Sequence, residues 1–342
     1  MNPRRFPGRW GLILLILLLG GCWSASGPEV VVYTALDKEF SQPVFDDFTK
    51  TTGIAVRPKF DTESTKTFGL AEAILAEGGR PRCDVFWNNE ILHTMRLERR
   101  GLLEVYRPAI AEQYPAMYRS PKGLWHGLAA RARVLLVNTK LVGRAERPRS
   151  ILDLADPKWK GRAGMAKPLF GTTATHAACL FAVWGDDRAR EFFERLKANE
   201  VKILSGNKQV ARDVSAGALA FGLTDTDDAI EEVEGAGPVE IVYPDREPDQ
   251  LGTLFIPNTL SLIRGAPHDA AARRLIDYVL SPEVEGRLAA GPSAQIPLNP
   301  QVEVKPRVET PATVHAMQVD FAAAAERWDT AAKFLQERFA GN

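Results

Sequence analysis

Glu29-Val-Val-Val-Tyr-Thr-Ala-Leu-Asp37 places a run of β-formers ahead of a polar turn, and together with the helical pattern behind it this stretch decides the fold. β-Branched and aromatic residues suit a pleated, half-buried surface, so the run through Tyr33 reads as a strand. Val44, Phe45 and Phe48 then recur at helical spacing, and Thr51-Thr52-Gly53 ends them: strand, loop, helix. The order repeats. Ile54 to Pro58 supplies a second strand, Thr67 to Glu77 a second helix, and Gly78-Gly79 its stop. Cys83-Asp-Val-Phe-Trp87 is an apolar strand, with Asn88-Asn89-Glu90 as the polar loop that opens a helix through Leu97. Such alternation predicts an α/β fold with mainly parallel sheets flanked by helices on both faces. Ligands of such sheets bind beyond the carboxyl ends of the strands. Tyr33, Thr34, Asn88 and Asn89 fall there.

Further along, Arg131 to Asn138 reads as a strand, and the Pro- and Arg-rich stretch from Val142 to Arg149 as a surface connection. Gly171-Thr-Thr-Ala-Thr175 opens an apolar helix through Trp184 with a cluster of hydroxyls. Ala218 to Leu223 is a strand ending in Thr224-Asp-Thr-Asp-Asp228. Thr253 to Ile263 is a returning strand, Ala270 to Leu280 a closing helix, and Thr313 to Phe339 a final helical stretch. A chain of this length suits two units. The first crossing is expected near Ala130, which assigns residues 28–130 and 262–342 to one lobe and 131–261 to the other.

Among 342 residues, 43 are basic and 43 acidic, so no general field draws nucleic acid or an anionic surface. With 45% hydrophobic and 25% charged residues the composition is that of a globular chain. The amino terminus differs. Arg4, Arg5 and Arg9 precede an apolar run from Leu12 to Leu19, too short to span a bilayer, and Leu19-Gly-Gly-Cys22 closes it. Residues 1–22 therefore read as a secretory signal whose ending resembles the lipobox of bacterial lipoproteins, in which Cys22 becomes the lipidated first residue. A cleaved signal with a chance cysteine and a short uncleaved anchor are the alternatives. The expected location is the periplasm or cell envelope, lipid-anchored to a membrane. The other two cysteines, Cys83 and Cys179, lie in apolar patterns and are expected as buried free thiols, with one bridge as the alternative.

Several segments together resemble the ferric-iron-binding type of periplasmic solute-binding protein, the receptor component of ABC importers. They are Val32-Tyr-Thr-Ala35 with Phe48-Thr-Lys-Thr-Thr-Gly-Ile54, Cys83 to Trp87, and Leu124-Trp-His-Gly-Leu-Ala-Ala-Arg-Ala-Arg-Val134. Leu152-Asp-Leu-Ala-Asp-Pro-Lys-Trp-Lys-Gly161, Gly206-Asn207 and Ile276-Asp-Tyr-Val-Leu-Ser-Pro-Glu283 continue the series. The resemblance implies the type II periplasmic-binding-protein fold: two α/β lobes, a two-stranded hinge and a ligand held in the cleft between them. It also implies a permease partner in the cytoplasmic membrane. Members of that type hold iron with tyrosine phenolates, often a Tyr-Tyr pair where this chain reads Asp225-Thr226-Asp227. Another such tyrosine corresponds to Leu135-Leu136-Val137 here, and only Tyr33 stands at a matching position.

The anion-binding part is better kept. Helix-start amides bind anions, and at Gly171-Thr-Thr the hydroxyls of Thr172 and Thr173 add two donors to that geometry. The resemblance implies that this loop and the Gly206-Asn207 pair hold an oxyanion. Arg131 and Arg133 bring positive charge, and one of the two is expected to face the cleft with a bidentate fork. Asp225, Asp227 and Asp228 offer carboxylates to a metal, to hydroxyls or ammonium groups of a solute, or merely cap a helix. The expected ligand set is therefore Tyr33, Thr34, Asn88, Arg133, Gly171, Thr172, Thr173, Asn207, Asp225 and Asp227. If a metal binds, Tyr33, Asp225 and Asp227 are its ligands. Asn89 and Asn258 rank below these, and His126 and His176 show no metal-ligand spacing and read as structural.

The expected function is capture of a small anionic solute bearing phosphate, phosphonate or carboxylate, by a monomer with no resident cofactor. A ferric-ion receptor with altered ligands is the runner-up. An enzyme in the same cleft ranks lower, because no nucleophile is tied to a base and no nucleotide or Gly-x-Ser-x-Gly motif occurs. A purely adhesive surface protein leaves the clustered polar strand ends unexplained.

Overall fold

A computed structural model describes residues 27–61 and 68–339. Residues 1–22, read above as a secretory signal ending at Cys22, lie outside the described residues. β1 (Glu29–Thr34) lies between β2 (Ala55–Phe60) and β3 (Val85–Asn88), parallel to both, with α1 (Lys38–Thr52), α2 (Phe68–Glu77) and α3 (Leu92–Arg99) as connections. α1 stops at Gly53, whose φ of 71° is the left-handed C-cap conformation that glycine adopts without steric cost.

The chain then enters β4 (His126–Asn138), thirteen residues all buried. A second layer of parallel strands comes next, β5 (Ala163–Ala166) between β6 (Lys202–Leu204) and β7 (Phe221–Asp225). Its connections are α4 (Gly171–Trp184), α5 (Asp186–Ala198), α6 (Asn207–Ser215) and α7 (Thr226–Glu234), with β8 (Val239–Val242) beyond them. β9 (Phe255–Leu262) returns antiparallel to β3 and to the first half of β4. The second half of β4 pairs with β7 and β8 instead. The order is β2-β1-β3-β9-β4-β7-β5-β6, so β9 and β4 join the two halves of the sheet. This is the α/β architecture the alternation predicts, in the two-lobed plan the resemblance implies, parallel within each half and antiparallel where the halves meet.

α8 (Asp269–Val279), α9 (Pro282–Ala290) and α10 (Phe321–Phe339) complete the described chain. α4 is largely apolar and buried from Gly171 through Phe181, as befits a helix covered all round. α10 covers it. Trp328, Ala331, Phe334 and Phe339 of α10 share one core with Phe181 of α4 and Phe193 of α5, and with Ile91 and Leu92 beside β3. The last helix thus packs across both halves of the sheet. Cys83 and Cys179 are buried free thiols. Among the described residues no helix is long and apolar enough to cross a membrane.

Candidate functional site

β7 ends at Asp225, directly opposite Arg133 in the antiparallel register with β4. Cross-strand neighbours of opposite charge attract, and here both are buried: Arg133 Nη1 meets Asp225 Oδ1 at 2.6 Å. The same Nη1 donates to Thr172 Oγ1 at 3.1 Å and Asn207 Oδ1 at 3.0 Å, and Nη2 donates to Thr173 Oγ1 at 3.1 Å. Thr172 Oγ1 donates to Asp225 Oδ2 at 2.6 Å, and Asn207 Nδ2 donates to Thr172 Oγ1 and Asp225 Oδ2 at 2.9 and 3.0 Å. Thr173 Oγ1 closes the ring on Asn207 Oδ1 at 3.2 Å.

The residues expected to grip an oxyanion thus converge from four elements, but their side chains spend most of their hydrogen bonds on one another. Asp225 supplies the carboxylate expected of a ligand. The cause is physical: a charge buried at Arg133 is favourable only when paired, and the strand register delivers Asp225 as the partner.

Arg131 is also in place. Residues two apart on a strand share a face, and of the two arginines Arg131 lines the space at the helix starts while Arg133 is buried in its pair with Asp225. Arg131 Nη1 lies 3.2 Å from Asp227 Oδ2, and Nη2 donates to Asn258 Oδ1 at 3.2 Å. Burial disfavours the Arg131 charge, but the carboxylates of Asp227, Asp225, Asp37 and Asp228 outweigh it and raise its pKa. Carboxylate oxygens of Asp225, Asp227 and Asp228 lie within 4.8 Å of one another, close enough to share a cation.

What remains open to a ligand is backbone. α4, α6 and α7 begin at Gly171, Asn207 and Thr226, and none has a side-chain hydrogen bond at its N-cap. Gly171, with φ 56°, takes a left-handed turn into α4 that a side chain would strain. A small cavity of about 20 Å³, partly open to solvent, is lined by Gly171, Thr172, Gly206, Asn207, Asp225 and Asp228, with Lys167, Arg131 and Asn89 also on its walls. Helix starts carry free N–H groups and the positive end of the helix dipole, so this wall favours negative charge.

The carboxyl ends of β1 and β3 contribute less than expected. Tyr33 belongs to a separate apolar cluster with Leu70, Ile74 and Phe86. Its hydroxyl donates to Glu77 Oε1 at 2.6 Å, with burial and that carboxylate raising its pKa, and it does not line the space at the helix starts. Thr34 Oγ1 caps its own turn by accepting from the Leu36 amide at 3.2 Å. Asn88 Nδ2 donates to Glu90 Oε1 at 2.7 Å and to Thr94 Oγ1 at 3.1 Å, so Asn88 holds the loop, and Asn89 is the one that reaches the space.

Glu90 is a member that sequence reasoning missed. Fully buried, it accepts from Thr175 Oγ1 of α4 at 2.7 Å, from the amide of His93 at 3.0 Å and from that of Leu92, and burial raises its pKa. A helix-start glutamate looks like an ordinary cap; its cross-chain partner 85 residues away carries no sequence signal. His126 Nε2 lies 3.0 Å from the Tyr106 carbonyl oxygen, and His176 sits buried in α4. Neither lines the space, as a structural role requires.

The chain is 26% identical over 330 residues to the major ferric iron-binding protein of Neisseria meningitidis, covering 94% of this chain and 96% of that protein. It is 25% identical over 257 residues to a putative 2-aminoethylphosphonate-binding periplasmic protein of Salmonella typhimurium, covering 74% and 72%. Its fold matches that of iron-bound HitA from Pseudomonas aeruginosa with a TM-score of 0.81 at 23% identity, over 91% of this chain and 99% of the other. The model of the bacterial extracellular solute-binding proteins matches residues 90–325, well over half the chain, and the protein belongs to that family.

Proposed function

We propose that this solute-binding protein is the receptor of an ABC importer and captures a small solute with a phosphate, phosphonate or carboxylate group. The observation that carries the reading is the convergence of the starts of α4 and α6, without side-chain caps, on one space beside Lys167. The anion sits on the first-turn amides. Arg133, Thr172, Thr173, Asn207 and Asp225 fix the two helix starts relative to β4 and β7 rather than touching the charge themselves. Binding needs no chemistry: a solute touching both halves favours the closed arrangement through its differential affinity, and the closed receptor docks on a permease. On this reading the protein acts as a monomer in the periplasm or cell envelope, held by a lipid on Cys22.

The iron reading has one specific observation in its favour, the three carboxylates of Asp225, Asp227 and Asp228 within reach of a common cation. Against it stands the engagement of Tyr33 by Glu77. Two of those carboxylates are also engaged, by Arg133 and Arg131. Calorimetric titration of the purified protein with ethylphosphonate and with ferric citrate separates the readings. Saturable one-to-one binding of the phosphonate is expected; binding of ferric ion alone contradicts the proposal.

A further inference from the structure

β8 has one open edge. It pairs with β4 on its other side and with no further strand among the described residues. The Thr139 amide donates to the Pro238 carbonyl at 2.7 Å, so in this antiparallel register Glu240 and Val242 turn their backbone groups to β4. Ile241 turns its N–H and C=O the other way, toward the unpaired side. An edge of this kind is a template on which another strand can form.

The surroundings of that edge ask for negative charge. A space of about 480 Å³ beside β8 is bounded by Arg144, Arg147, Arg149 and Arg246, against the carboxylates of Glu240 and Glu247. Glu240 is already engaged by Arg147. Arg147 is the only one of the four arginines with an ion pair among the described residues, and its Nε is buried without an acceptor. A guanidinium donates and never accepts, and it pairs best with a planar carboxylate or a phosphate. Across the strand the character changes. Val239 and Ile241 pack with Ile230 and Val308, whereas Val242 packs with the other core cluster. On the Val239 side lies a second space of about 470 Å³, walled mainly by apolar side chains, with Arg307 and Glu309 also lining it. Side chains of an extended segment alternate between two faces, so a strand laid on β8 would turn every second residue to the arginines and the others to the apolar side.

We infer that the free edge of β8 is a docking site for an extended acidic segment of another protein, in which carboxylates alternate with apolar side chains. Backbone bonds to Ile241 supply attachment, the arginines select the sign of the charge, and the apolar space fixes the register. An anionic lipid surface would meet the arginines but leave the strand edge and the apolar space unused. The two spaces share no lining residue with the cavity at the starts of α4 and α6, so the inference stands apart from the anion-capture reading.

The test is fluorescence anisotropy of the intact purified protein with three labelled heptapeptides. One alternates glutamate with valine, one has lysine in place of glutamate, and one is the glutamate peptide with proline for its central valine. The glutamate peptide is expected to saturate, to bind at least tenfold more tightly than either control, and to slow hydrogen exchange of the Ile241 amide. Arg149→Glu combined with Arg246→Glu, both at exposed positions, should remove that binding and leave urea unfolding unchanged. Equal binding of the lysine or the proline peptide overturns the inference, as does the failure of all three to bind. Sedimentation with phosphatidylglycerol vesicles in place of peptide binding would assign the arginines to a lipid surface and overturn it. Dimerisation that the double variant abolishes, without peptide binding, would assign the edge to a second copy of the chain and overturn it too.

Discussion

Arg133 and Asp225 are 92 residues apart in sequence and 2.6 Å apart in space, and the register of β4 against β7 is what brings them together. Removing one member strands the other charge in a dry site, which costs about 3–5 kcal/mol. Arg133→Met should therefore lower stability by that order in urea unfolding, and adding Asp225→Leu should restore much of it; equal losses in single and double variants would contradict the pairing. The buried histidines give a pH prediction with a definite sign. Burial lowers His93 to about 3 and His126 to about 4, both from near 6.5. The unfolded chain then takes up protons that the folded one refuses, so their contribution is complete above pH 6.5 and lost as pH falls toward 4 for His126 and toward 3 for His93, at about 1.4 kcal/mol per pH unit for each. His93→Gln should flatten that acid limb; an unchanged slope would contradict it. Strand ends and helix starts mark Asp225 and Thr172 as site candidates in the sequence, and the resemblance adds Asn207. That they spend their hydrogen bonds on one another is not legible there, because it depends on a cross-strand register and on contacts many residues apart.

β4 carries a constrained backbone. Its register against β9 shifts between Leu128 and Ala130, and Ala129 at the bulge has φ 37°. The bulge is held from both sides. Glu285 of α9 accepts from the amides of Ala129, Leu298 and Asn299 at 2.6, 2.8 and 2.8 Å. Asn258 of β9 donates to the Ala129 carbonyl and accepts from Arg131. A backbone strained in this way persists only when its surroundings over-determine it. Glu285→Gln replaces an acceptor-only group by one that must turn a donor toward an amide, and about 1.5–3 kcal/mol of stability should be lost in chemical unfolding; a loss below about 0.5 kcal/mol would show that the bulge holds itself. Elements with strong period are legible in the sequence. The stretch expected as a helix over Ala270 to Leu280 is Asp269–Val279, and the helix expected through Trp184 ends there. β7 begins three residues later than the apolar run that starts at Ala218, and β4 begins at His126 rather than Arg131, because strand ends follow hydrogen-bond partners rather than side-chain polarity. α5 and α9 leave weaker marks, the first hidden in a charged stretch from Asp186 to Ala198 and the second only nine residues long with mixed polarity.

The two halves of the molecule touch. Glu90 beside β3 receives Thr175 of α4, Lys208 of α6 bridges Glu39 of α1 at 2.7 Å, and α10 packs across both. The half-exposed Lys208 pair contributes little, up to about 1 kcal/mol, whereas opening the buried Glu90 bond takes a hydroxyl donor away from a buried carboxylate oxygen. Thr175→Val should therefore shift the unliganded protein toward a wider arrangement, seen as a larger radius of gyration in small-angle scattering; an identical profile would mean that α10 alone sets the closure. The two-lobed plan is legible from alternation and resemblance, and the bridging position of α10 is not, since an amphipathic terminal helix carries no mark of what it covers. The solute itself is the central claim. Native mass spectrometry with metal analysis of the mature protein, purified from its own cell envelope without chelators, tests it most directly. A co-purified small solute bearing phosphate, phosphonate or carboxylate, without stoichiometric iron, is the predicted result, and one ferric ion per chain with no organic solute would contradict it.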